Sequence, residues 1–110
     1  MADVLTKQKT AAVSSAVDWD TTKVSSPADS LYASGKTRML RVEFTIRTAA
    51  STGNVTIGTI ADGHRPAVDY RYIARVGDEL KAMSFGADGT IYITAPSAKT
   101  YIACITYLVS

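Results

Sequence analysis

The stretch Arg38-Met39-Leu40-Arg41-Val42-Glu43-Phe44-Thr45-Ile46-Arg47-Thr48 decides the fold class. Leu40, Val42, Phe44 and Ile46 recur at every second position, and Arg41, Glu43, Thr45 and Arg47 fill the positions between them. Successive side chains of a strand point to opposite faces, whereas a helix scatters such residues around its axis. The spacing therefore predicts a half-buried antiparallel strand. After the loop Ala49-Ala50-Ser51-Thr52-Gly53-Asn54, the β-branched run Val55-Thr56-Ile57-Gly58-Thr59-Ile60 resumes the alternation and reads as the second arm of a hairpin. Asp62-Gly63 supplies turn chemistry, and Pro66 pushes Arg65 toward extended geometry.

Further along, Val68, Tyr70, Tyr72 and Ala74 alternate with Asp69, Arg71, Ile73 and Arg75. Gly77-Asp78 ends that strand, and Leu80–Phe85 and Thr90–Thr94 flank Gly86-Ala87-Asp88-Gly89 as a second hairpin. Pro96 and Ser97 set off a closing strand, Thr100 to Val109, that is apolar on both faces. That is more than one face of a small sandwich buries internally, so the excess points to a subunit interface. Strands at this spacing, with turn signals between them and no helical stripe, predict an all-β fold. The expected architecture is an antiparallel β-sandwich, jelly-roll-like, of about six to eight strands. Residues 37–110 form this expected head. Residues 1–36 lack sustained periodicity and read as an N-terminal arm or irregular edge segment, with Val13, Val17, Trp19, Val24 and Leu31 as anchors.

With 110 residues, 46% of them hydrophobic, the chain has enough apolar content for one core without disulfide staples. A net charge of +2 is too weak a field to make nucleic acid the expected partner. No apolar run is long enough to span a membrane, and Met1-Ala2-Asp3-Val4 does not open a signal peptide. One cysteine, Cys104, and one histidine, His64, assemble neither a disulfide nor a zinc cluster. Cys104 lies in the apolar run Tyr101–Tyr107 and is expected as buried filler. Asp18-Trp19-Asp20 lacks the spacing of a calcium loop, and a single His without a nucleophile motif leaves no triad. No cofactor, metal or catalytic residue is expected.

The order Val55–Ile60, then Asp62-Gly63-His64-Arg65-Pro66, a Tyr-rich strand, Gly86-Ala87-Asp88-Gly89-Thr90-Ile91-Tyr92-Ile93 and a closing Thr106-Tyr107-Leu108-Val109-Ser110 resembles the C-terminal head domains of bacteriophage tail fibres and baseplate receptor-binding proteins. The resemblance spans roughly residues 38–110, and His64 stands where the family usually has Tyr. It implies a trimeric sandwich or jelly roll without enzymatic activity that recognises a host-surface carbohydrate. The implied location is the virion exterior, after assembly in the host cytoplasm. A chain of 110 residues is then an excised head, a very short fibre, or a virion protein that borrowed the fold.

Asp69, Arg71 and Arg75, with Tyr70 and Tyr72 beside them, combine the aromatic faces and planar charged groups that saccharide sites use. Plain alternation offers a simpler account: the tyrosines as core or interface, and the charges as a solvated face or inter-subunit ion pairs. His64 and Arg65 on the preceding turn are further hydrogen-bond donors. Trp19 between two aspartates fits either sugar stacking or an anchor packed on the body. An alternative to the receptor-binding head is a virion structural module, a capsid decoration or tail adaptor protein. Its N-terminal arm would strap other virion proteins, and all its contacts would be with protein.

Overall fold

Leu40, Val42, Phe44 and Ile46 are all buried, while Met39 before them and Arg41 among them face outward, so the strand alternates as expected. The structure, a computed structural model, describes residues 11–13 and 16–110, with side chains from Ala16 onward. Val13, one of the expected anchors, falls outside the described side chains. The strands are β1 (Ala11–Val13), β2 (Val17–Trp19), β3 (Val24–Ser34), β4 (Thr37–Ile46), β5 (Asn54–Ile60), β6 (Tyr70–Val76), β7 (Glu79–Phe85), β8 (Thr90–Thr94) and β9 (Thr100–Leu108). They form two antiparallel sheets, in the orders β1-β3-β4-β9 and β2-β5-β8-β7-β6, and the chain is all-β and sandwich-like as expected. Within the second sheet, β6, β7 and β8 are joined by short turns and β5 lies beside β8, which is Greek-key order.

The core comes from both inner faces. Leu31, Leu40, Val42, Phe44, Tyr101, Ala103 and Ile105 of the first sheet meet Ile57, Ile60, Ala74, Met83, Phe85, Ile91 and Ile93 of the second. At its centre Phe44 stacks on Tyr101, with ring centroids 5.4 Å apart and planes 3° from parallel. Trp19 leans on the other side of the cluster, 5.4 Å from Phe44 at 47°. Beneath one end lies a buried cation: Arg38 donates through Nε to His64 Nδ1 at 2.9 Å and through Nη1 to the Gly35 and Thr37 carbonyls at 2.7 and 3.1 Å. Tyr107 completes this end by donating to the His64 carbonyl at 2.7 Å. Burial pushes its hydroxyl up to about 12 against the opposing pull of Arg38.

Four expectations need correction. The texture change near residue 37 falls inside the β3–β4 hairpin, not between an arm and a head, because β3 pairs with β4 from Val24↔Ile46 to Ser34↔Thr37. Ala16, Val17, Val24 and Leu31 belong to the core, while β2 is indeed an edge strand. β4 and β5 are not a hairpin, since β4 pairs with β3 and β9 and β5 with β2 and β8; the chain crosses between sheets there. Cys104 is exposed, because β9 carries the buried residues Tyr101, Ala103, Ile105 and Tyr107 on its other face. Finally, the ring-and-charge strand begins at Tyr70, so Val68 lies outside it and is 73% exposed.

The outer face of the first sheet carries an exposed apolar group. Tyr32, Met39, Ile102 and Leu108 are exposed there, joined by Cys104 and by an Arg41–Glu43 ion pair at 3.1 Å. On the second sheet, β6 is an edge strand whose Arg71, Ile73 and Arg75 are exposed. The neighbouring β9 edge is partly closed by an antiparallel bridge between Pro66 and Val109 and by the Ala67 amide on the Leu108 carbonyl at 2.8 Å.

Candidate functional site

The site is built on a row across three strands. Register places Arg71 of β6 opposite Ser84 of β7, and Ser84 opposite Tyr92 of β8. Residues paired in this way share a face, because side chains alternate in step along neighbouring strands. Their neighbours Phe85 and Ile91 are buried in the core, so the row itself lies on the outer face of the second sheet. The row forms part of the wall of an open cleft of about 520 Å³, lined by Asp69, Tyr70, Arg71, Ser84, Gly86, Ala87, Asp88, Thr90 and Tyr92. That volume is within the range of about 300–1,000 Å³ typical of small-ligand pockets.

The turn between β7 and β8 shapes the rim. The Gly86 amide donates to the Thr90 carbonyl and the Gly89 amide to the Gly86 carbonyl, each at 2.8 Å. Gly89 has a φ of +91°, the left-handed geometry that this type of hairpin loop needs after its turn. A Cβ there would meet Arg65 Nε at 2.5 Å and the Ile60 carbonyl at 2.8 Å, so Gly89 also makes room for the arginine beneath it. Gly89→Ala should lower stability by about 1–3 kcal/mol and displace the Asp88 rim. Denaturant melts together with the backbone shifts of residues 86–90 check both effects, and a variant with parental stability would refute this account of the turn.

Both acidic residues of the cleft are held by backbone amides. Asp69 Oδ1 accepts from the Ala87 amide at 2.9 Å, and Asp88 Oδ1 from the Thr90 amide at 3.0 Å. The Thr90 amide, then its hydroxyl, together with the more distant Arg65, keep the Asp88 carboxyl below its ordinary range despite opposing desolvation. Arg71 forms no hydrogen bond or ion pair with the described residues, so its guanidinium is free for a ligand. Asp69 and Arg71, expected from sequence as ligand-binding, are thus brought together. The cleft adds Ser84, Asp88, Thr90 and Tyr92, which lie on other strands and whose convergence only the sheet register reveals.

The remaining candidates fall elsewhere. Arg75 pairs with Leu80 further along β6 and does not line the cleft. Arg65 lies behind it, with Nε on the Ile60 carbonyl at 2.9 Å, and serves as a support of the Asp88 turn. His64 accepts from Arg38 and belongs to the buried end of the sandwich. Trp19 packs as an anchor and does not line the cleft: its indole donates to Asp29 Oδ1 at 3.0 Å and its ring lies on the core. Among the described residues no group of three or more His, Cys, Asp or Glu is placed to hold a metal ion. No protein-family model matches the chain, and no curated protein matches its sequence.

Proposed function

We propose that the chain is a non-enzymatic carbohydrate-binding head of the bacteriophage tail-fibre type, carried on the virion exterior and assembled as a trimer. The observation that carries the reading is the cleft, where a free guanidinium, two anchored carboxylates and a tyrosine ring surround one open volume. Planar charged groups pair with adjacent sugar hydroxyls, and an aromatic ring covers the apolar C–H face. The Greek-key order of the second sheet supports the jelly-roll-like expectation, a jelly roll being built from two Greek keys. Arg71→Ala or Asp69→Ala should abolish attachment to host cells while leaving the assembly intact. Parental attachment by both variants would remove the cleft from consideration.

Self-association is supported by the exposed Tyr32, Met39, Ile102 and Leu108 on the outer face of the first sheet. Sedimentation at micromolar concentration should give a trimer, and the exposed thiol of Cys104 reports on the face used. If this face is covered, a thiol reagent should label Cys104 slowly in the assembly and faster on dilution. A stable monomer would overturn the oligomeric part of the reading. The same apolar face favours the second reading, a structural module of the virion that makes only protein contacts. The strapping segment argued for that module is reduced, because residues 17–19 and 24–34 are built into the two sheets.

A further inference from the structure

We propose that the cleft selects an uncharged hexopyranose unit over anionic sugars, with Ser84 as the residue that reads its hydroxyls from the wall. This rests on the carbohydrate-binding reading and narrows it to a ligand class. Ser84 is only 8% exposed, and its hydroxyl forms no hydrogen bond with the described residues but opens onto the cleft that it lines. A ligand hydroxyl, able both to donate and to accept, can take the place of cleft water on this serine and meet it in either sense.

Its neighbours on the row define the rest of the contact. Arg71 and Tyr92 stand one strand to either side of Ser84, so the three span two strand spacings, about 10 Å. That distance leaves a pyranose ring between a five-donor guanidinium at one end and a phenol ring at the other. The guanidinium donates in a fixed fork and suits two adjacent hydroxyls, while the phenol offers both a face and a hydroxyl.

The charges exclude an anion. An acidic sugar drawn to Arg71 would bring its carboxylate into a cleft that already holds Asp69 and Asp88. Asp88 stays ionised because the Thr90 amide and hydroxyl stabilise its charged form, so it cannot relieve the repulsion by taking up a proton near neutral pH. A cationic sugar would meet Arg71 in the cleft and Arg65 behind Asp88. Each carboxylate retains acceptor capacity beyond its loop amide, which neutral hydroxyls satisfy without adding charge.

The test is titration of the ¹⁵N-labelled full chain with the methyl glycosides of glucose, galactose and mannose, with glucuronate and galacturonate, and with N-acetylneuraminate. At least one neutral glycoside should shift the amides of residues 69–71, 84–88 and 90–92. The acid sugar of the same configuration should bind at least about tenfold more weakly at low ionic strength, the gap narrowing as salt is added. Ser84→Ala, with its fold checked by the same spectra, should weaken the neutral glycoside about tenfold. Tighter binding of an acid sugar, or undiminished binding by Ser84→Ala, would overturn the inference and leave the carbohydrate reading standing. If no sugar of either kind moves these amides, both fall together.

Discussion

Phe44→Ala will remove about 3–5 kcal/mol of stability, the largest single loss expected in the chain. The side chain is fully buried and holds two ring contacts at once, stacked on Tyr101 and tilted against Trp19, each with centroids 5.4 Å apart. Truncation loses the transfer free energy of the ring and leaves a cavity between the sheets. The two ring neighbours cannot close that cavity freely, because Trp19 is tied to Asp29 and the Tyr101 hydroxyl accepts from the Ser97 amide at 2.9 Å. Glu43→Ala, one residue away, should cost under about 0.5 kcal/mol, since Glu43 pairs only with the exposed Arg41. Denaturant melts of the two variants make the comparison, and equal costs would mean that the face assignment of β4 is wrong.

Arg38→Met should cost about 2–4 kcal/mol, although it retains most of the side chain's length. Arg38 is 9% exposed and no carboxylate of the described residues is paired with it; its charge is solvated by the Gly35 and Thr37 carbonyls and by His64 Nδ1. Methionine removes every one of these donors and leaves the acceptors to find other partners at a poorly hydrated end of the sandwich. His64→Ala removes a single acceptor and should cost less, about 1 kcal/mol. Melts giving Arg38→Met within that smaller loss would show that the carbonyls are readily satisfied by water.

How far the sequence could be read depended on whether its periodicity was left undisturbed. β4 and β9 alternate without interruption and were legible nearly in their ends, but only β4 was legible in its faces, because apolar residues on both sides of β9 hid that Cys104 lies on the exposed one. β3 was hidden by its own geometry. Val24 and Leu31 are both buried, yet they lie an odd number of residues apart, which a regular strand forbids. A bulge between Ser25 and Ala28 absorbs the extra residue, with Ser26 at φ +50° and Pro27 beside it. That phase slip made the segment look like an arm.

The β4–β5 crossover was missed for a different reason. Two neighbouring amphipathic strands joined by a loop satisfy the hairpin pattern equally well when they belong to facing sheets. The candidate site was half legible: Asp69 and Arg71 are close in sequence to the ring residues of β6, but Ser84, Asp88 and Tyr92 reach the same cleft through pairing alone. Tyr70, expected on the inner face, does lie opposite the buried Phe85, yet at the first position of an edge strand it remains partly exposed.

The edge position of β6 bears on how the protein behaves when crowded. An open strand edge is a template on which another copy can polymerise, and Ile73 at its middle would favour such growth. Two copies of β6 paired antiparallel about Ile73 would set Arg71 of each directly against Arg75 of the other, placing like charges in adjacent positions twice over. Arg75, which has no part in the cleft, stands where such a charge opposes edge-to-edge pairing, and its replacement by an uncharged residue should make the protein more prone to aggregate on concentration.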